Sequence, residues 1–265
     1  MQTSPYAKSK LFIEEQLTIV DKTGEEIPFK LNDIQNKFVG EATGKDIILK
    51  GRQMGFSSFI LASFTKDFLF KANSLSVVVA DIADNSLDLL ARVKHYIRSF
   101  EANNKTKVPL KYNSKYELQN GFNNARYIIG TAENTEFGRS KTITNLHFSE
   151  AAFYKDFEKL LAGAGTALVP DGKFVIETTA NGFNQFKNFY NDSELGETNF
   201  TPHFYASQDF YPVEFLESEK KRLGRIFPQE HPKNALEAFI TSGQTFFDSE
   251  ALRSYLEKTK EPITL

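Results

Sequence analysis

A chain of 265 residues with 40% apolar side chains is long enough for one large domain, or one domain with a small appendage, around a filled core. A net charge of -2 and a pI near 6.2 leave no overall basic footprint for tight, static nucleic-acid binding. Zero cysteines exclude disulfides and thiolate metal sites, and His95, His147, His203 and His231 lie too far apart for a short-range ligand motif.

No run of roughly 18 apolar residues occurs, and Lys, Glu and Gln interrupt the apolar positions at the start of the chain. Neither a membrane span nor a signal peptide is read, and a cytoplasmic location is expected.

In chain order, Ile47-Ile48-Leu49 predicts a strand that stops at Gly51. Residues 56–70 place Ile60, Phe64 and Phe68 at i, i+4 and i+8, which predicts a buried helix. Leu75 to Ala80 is the next strand. Asp81 to Asn85 lead into a helix with Leu87, Leu90, Val93, Ile97 and Phe100 on one side. Residues 115–130 alternate at Tyr116 and Leu118, turn at Asn120-Gly121, and alternate again at Tyr127 and Ile129, the pattern of a hairpin. Thr142 to Phe148 and Phe174 to Thr179 supply two more strands, separated by a helix around Phe157, Leu160 and Leu161. These alternating units predict an α/β fold, a mainly parallel central sheet flanked by helices with right-handed crossovers. Residues 1–191 are read as the core. Residues 192–265 are read as a small C-terminal appendage, with a strand near His203 to Ala206 and a charged helix near Val213 to Leu223. No internal repeat or low-complexity tract occurs.

Chemistry concentrates at Lys50-Gly51-Arg52-Gln53-Met54-Gly55-Phe56-Ser57-Ser58, between a strand and a helix. Glycines let successive backbone N–H groups turn inward, and the helix N-terminus adds its dipole, so this segment nearly matches a phosphate loop. Ser57 stands where a hydroxyl would ligate Mg²⁺ on the nucleotide phosphates. Phe56 occupies the usual lysine position, so the positive charge must come from Lys50 at the loop's entrance or from Arg52 within it. Further on, Ile143 to Glu150 reads as a strand ending in a carboxylate, the place for a group that orients or deprotonates water beside a γ-phosphate. Singly, the glycines are an ordinary turn and Glu150 a solvated loop acid; their order along the chain links them.

Four separated blocks, KGRQMGFSS, EFGRSKTITNLHFSEAAFY, VIETTANGFNQF and HPKNALEAFITSGQTFFD, resemble large-terminase subunits of tailed bacteriophages, across roughly residues 30 to 248. The resemblance implies a P-loop NTPase of the additional-strand, catalytic-glutamate type. It implies ATP and Mg²⁺ as ligands, with Lys50, Arg52 and Ser57 taking the loop roles and Glu150 the catalytic one. Where the family's Walker B segment commonly has aspartate, this chain has Ser149, which leaves a water-bridged metal contact as the expectation. Thr178, Thr179 and Asn181, with Gly182, fall at the coupling motif, and Gln35 matches an adenine-reading glutamine. Arg139, in the Gly-Arg-Ser segment, matches an arginine supplied to a neighbouring subunit.

The implied work is translocation of double-stranded viral DNA into a procapsid, at the portal vertex in the host cytoplasm. The implied partners are a portal protein, a small terminase subunit and other copies in a ring, with a monomer in isolation. A helicase-like or remodelling P-loop ATPase, and a nucleotide-binding module without turnover, remain alternatives. No cluster of Asp and Glu at strand ends follows TSGQTFFD, so no nuclease centre is expected in this chain.

Overall fold

The computed structural model describes residues 4–135 and 141–241, together with Tyr255 and Lys258. In chain order its elements are α1 (Ala7–Gln16), β1 (Thr18–Val20), β2 (Glu26–Pro28), α2 (Asp33–Glu41), β3 (Lys45–Lys50) and α3 (Phe56–Phe70). There follow β4 (Leu75–Ala80), α4 (Ala83–Asn104), β5 (Leu110–Asn113), β6 (Glu117–Asn120), β7 (Arg126–Thr131) and β8 (Ile143–Ser149). The rest comprises α5 (Phe157–Gly165), β9 (Leu168–Thr178), α6 (Gln185–Glu194), β10 (Thr201–Tyr205), α7 (Val213–Leu223), α8 (Phe227–Glu230) and α9 (Ala235–Thr241).

Eight strands form one sheet in the order β10-β3-β9-β8-β4-β7-β6-β5, parallel from β10 to β7 and antiparallel over the last two pairings. The expected hairpin is β6–β7, extended at the edge by β5. The strand that opens into the glycine loop, β3, is separated from the strand that ends at the acid, β8, by the additional strand β9. This is the expected additional-strand arrangement. The small pair β1–β2 is separate.

Strands buried on both faces read as unbroken apolar runs, and β3 and β4 are buried along almost their whole length for that reason. One core lies between the sheet and α1 to α4. Ile60, Phe64 and Phe68 of α3 are fully buried in it, as their spacing predicts. The stripe expected on α4 holds at Leu90, Val93 and Ile97, with Phe100 partly buried against the core, while Leu87 is exposed and Leu89 and Tyr96 are buried beside it. The other core lies beneath α5, α6 and α9.

The expected boundary falls at residue 191. Strand β10 pairs in register with β3, Thr201 beside Asp46 through Tyr205 beside Lys50, so the sheet continues past it. Helix α9 also places Ala238 and Phe239 in the second core. Among the described residues no helix is long and apolar enough to cross a membrane.

Parallel strands deliver their carboxyl ends to one edge, where open α/β sheets bind ligands. Lys50, Ser149 and Thr178 end β3, β8 and β9 there, beside the N-terminus of α3.

Candidate functional site

The loop after β3 has a shape that other side chains enforce. Gly55 has φ +79, and a Cβ built on it would lie 2.8 Å from Gln35 Nε2. Gly51 leaves no room either, since its Cβ would collide with Ser207 Oγ. Gln53 is also left-handed, at φ 55. From α2, Gln35 Nε2 donates to the Gly55 carbonyl at 2.8 Å and Asn32 Nδ2 to that of Met54 at 3.2 Å. The outer rim is tied to the C-terminal segment, where the Tyr211 hydroxyl donates to the Arg52 carbonyl at 2.9 Å and Arg52 pairs with Glu230 at 3.0 Å.

These contacts sort the expected loop residues. Phe56 is 1% exposed and its ring packs on Phe38 at 5.7 Å and Tyr205 at 4.9 Å between centroids, so its side chain belongs to the core and not to the site. Met54 is buried with it. The Arg52 side chain is largely exposed on the rim. Ser58 turns toward α4, where its hydroxyl accepts from Arg92 at 3.4 Å and its carbonyl from the Tyr96 hydroxyl at 3.3 Å. Gln35 forms a capping box with Asn32: its Oε1 accepts from Asn32 N at 3.0 Å while its own N–H donates to Asn32 Oδ1 at 2.9 Å. Its amide therefore braces the loop, and turning it to a base would open the cap.

At the centre is a buried charge cluster. Lys50 Nζ lies 3.2 Å from Glu150 Oε1 and 3.1 Å from Glu177 Oε2. Glu177 is fully buried at the end of β9, and its Oε1 accepts from the Ser57 hydroxyl at 2.7 Å and the Ser149 hydroxyl at 2.9 Å. His147 Nε2 lies 3.3 Å from the same oxygen without hydrogen-bond alignment. Glu177 was not among the expected site residues.

Alternation explains the convergence, because side chains two apart on a strand share a face. Glu177 is the register partner of Ser149 on one side and of Ile48 on the other, so Lys50, Glu177, Ser149 and His147 all face α3 and Ser57 at its start. Burial opposes charging at both groups. For Lys50 it is outweighed by Glu150 and then Glu177, which raise the ammonium above the usual lysine range. For Glu177 it is outweighed by Lys50 and then His147, which hold the carboxyl far below the usual range.

Glu150 follows Ser149 and by alternation would face away from α3. Its backbone is instead left-handed, at φ 56 and ψ 46, which ends the strand and brings the carboxylate back to Lys50. Such a conformation costs an L-residue about 1–2 kcal/mol and gathers where surroundings fix it. Here they do: Oε2 accepts from Thr179 N at 3.2 Å and from the Thr179 hydroxyl at 3.4 Å, with the Thr178 hydroxyl shared between it, at 3.4 Å, and the Thr179 carbonyl, at 2.6 Å. Two further residues of the same segment, Asn181 and Asn184, donate to the Ala152 carbonyl at 3.2 and 2.7 Å. The expected coupling residues thus touch either the acid or the turn that follows it. Arg139 lies outside the described residues.

Among the described residues no group of three or more His, Asp or Glu side chains is arranged to hold a metal ion by itself. The oxygen groups at the head of α3 are instead the Ser57 and Ser149 hydroxyls, hard donors of the kind of which Mg²⁺ takes one or two before phosphates and water complete its shell.

No protein-family model matches the sequence, and no curated protein matches it. Solved structures do match its fold. The ATPase domain of the large terminase of Thermus phage P74-26 aligns with a TM-score of 0.60 at 16% identity, over 77% of this chain and 93% of that one. The large terminase of bacteriophage HK97 aligns at 0.64 and 14% identity over 97% of this chain, which spans 52% of that protein. The large terminase of a thermophilic bacteriophage, in complex with ATP-gamma-S, aligns at 0.51 and 14% identity over 70% of this chain and 46% of that one. At these identities the likeness concerns architecture, and the chain has the fold of large-terminase ATPase domains.

Proposed function

We propose that this chain hydrolyses ATP to drive double-stranded DNA into a viral procapsid. The observation that carries the reading is the convergence of Lys50, Ser57 and Glu150 at the carboxyl edge of the sheet, beside the glycine loop and a helix N-terminus.

In this reading the loop's backbone N–H groups receive the phosphates, and Lys50 turns from its two carboxylates to an incoming phosphate. Glu150, at the solvent edge of the cluster with its side chain 31% exposed, is thereby released from its ion pair and orients or deprotonates water. Thr178 and Thr179 keep its carboxylate aimed. Ser57, and Ser149 through water, are the hydroxyls that would hold Mg²⁺, which when bound would neutralise charge that builds on the phosphates. Arg139 is proposed as the arginine offered to the neighbouring subunit's phosphate, on the strength of the resemblance.

The packaging assignment, with portal protein, small subunit and ring, rests on the fold and the four sequence blocks. Phosphate release that requires Mg²⁺ and is lost in Glu150→Gln tests the ATPase. DNA entry into procapsids bearing a matching portal, as against strand separation, tests the task. If ATP bound but no turnover appeared under any assembly condition, the hydrolase reading would be wrong. For Arg139, mixing Arg139→Ala with Glu150→Gln subunits should recover turnover that neither has alone.

A further inference from the structure

Deepening the nucleotide-site reading, and resting on it, is the question of what replaces the aspartate that Ser149 displaces. In the parallel pairing of β8 with β9, Ser149 sits directly beside Glu177. Across the strand spacing of about 4.8 Å the Glu177 carboxylate reaches the Ser149 hydroxyl at 2.9 Å, so a carboxylate from β9 stands beside the residue that displaces the aspartate.

Ser57 has a single hydroxyl proton and gives it to Glu177 Oε1 at 2.7 Å, which turns both oxygen lone pairs away from the carboxylate. Ser149 gives its proton to the same oxygen. Among the described residues Glu177 Oε2 is buried without a hydrogen-bond partner, and it pairs with the Lys50 ammonium at 3.1 Å. Two carboxylates converge on Lys50, and Glu150 alone would neutralise it; Glu177 has the His147 ring as a further neighbour, 3.3 Å from its Oε1.

We propose that Glu177 is the carboxylate that anchors Mg²⁺ in this site, acting from the neighbouring strand by fixing the Ser57 hydroxyl, with Ser149 as a donor to it in place of an aspartate.

The test is calorimetry of ADP binding in EDTA and in Mg²⁺, the ratio of the two affinities giving the metal-dependent gain, with Mn²⁺ spin-resonance titration of the ADP complex as a direct count of bound metal. Glu177→Gln is expected to reduce the gain and the Mn²⁺ affinity by about tenfold or more, the usual scale for a group that orients a metal ligand, without weakening ADP binding in EDTA. Glu177→Asp keeps the charge beside Lys50, and so the fold, but withdraws the carboxylate; it should lose the gain as well. Adding Ser149→Asp to Glu177→Gln should restore most of it. Retention of the gain in both single variants would overturn the proposal, as would equal losses with and without metal, which would mark Glu177 as structural. Failure of the parent to bind ADP in either condition would overturn the nucleotide reading itself, and this inference with it.

Discussion

Lys50→Met keeps most of the side-chain volume and removes the ammonium that lies 3.2 Å from Glu150 and 3.1 Å from Glu177. Two effects follow, and they separate. Glu177, fully buried, is left without a cation, and breaking a buried pair from one side costs about 3–5 kcal/mol. For a domain of this size that is a fall in melting temperature of roughly 6–20 °C. The contact Lys50 would make with phosphate is lost too, at about 1.5–3 kcal/mol, or roughly 10- to 150-fold in affinity. Adding Glu177→Gln removes the orphaned charge, so the double variant should regain stability but not affinity. Phe56→Leu is the control: it thins an aromatic cluster for about 1–2 kcal/mol of stability and should leave affinity alone. Calorimetry with ATP in EDTA and thermal melts read the two effects. An Lys50→Met protein that binds ATP like the parent, alongside a Phe56→Leu protein that does not, would refute the displaced-lysine reading.

Glu150→Gly and Glu150→Ala both lose the carboxylate, but only glycine accepts φ 56 freely, so the glycine variant should be more stable by about 1 kcal/mol in denaturant melts. Gly51→Ala should destabilise, because its Cβ collides with Ser207 Oγ, and Ser207→Gly added to it should recover part of the loss in thermal melts. Gln35→Ala removes a capping box and a loop brace, for about 1–2 kcal/mol; calorimetry should find ATP and GTP affinities falling together, and a loss confined to ATP would mean that Gln35 reads the base. The charge cluster also sets a pH dependence. The Glu177 pKa lies below its ordinary 4.5, so its contribution is complete above that value and lost as pH falls; the Lys50 pKa lies above its ordinary 10.5, so its contribution is complete below that value and lost as pH rises. Denaturant melts should therefore find Glu177→Gln with a shallower acid limb below about pH 4.5 than the parent.

What could be read from the sequence followed from local pattern. The loop, the strand ending at Glu150 and the helix at 56–70 each declare themselves within a few residues, through glycines, a terminal acid or a four-residue period. Strand β10 declares itself only as a strand near His203 to Ala206, and not as a member of the central sheet. Its segment Thr-Pro-His-Phe-Tyr has little apolar alternation, and its place beside β3 is fixed by pairing across about 155 residues of sequence, as between Asp46 and Thr201. Helix α1 carries its apolar residues in one short cluster, without a helical stripe. Glu177 was hidden by the apolar run Phe174-Val175-Ile176 before it, which marks a strand and makes its final residue look like an ordinary exit to solvent. The available signal was chemical: a lone acid inside an otherwise uncharged strand end, in a chain whose acid strand lacks its aspartate.

The geometry also joins parts that the sequence lists separately. Lys50 is a common partner of Glu150 and Glu177, while Glu150 is held by the end of β9 through Thr178 and Thr179. Thr178 Oγ1 also accepts from Ala152 N at 3.2 Å, and Asn181 and Asn184 hold that residue's carbonyl. A change in which group Lys50 faces therefore alters the charge balance at Glu150, whose hydrogen bonds are made with the strand that carries Glu177. Glu150 cannot relax alone, because its left-handed backbone begins the turn that the two asparagines grip. The lysine, the acid and the residues expected to couple them form one connected network, and the fully buried Glu177 is its most constrained member.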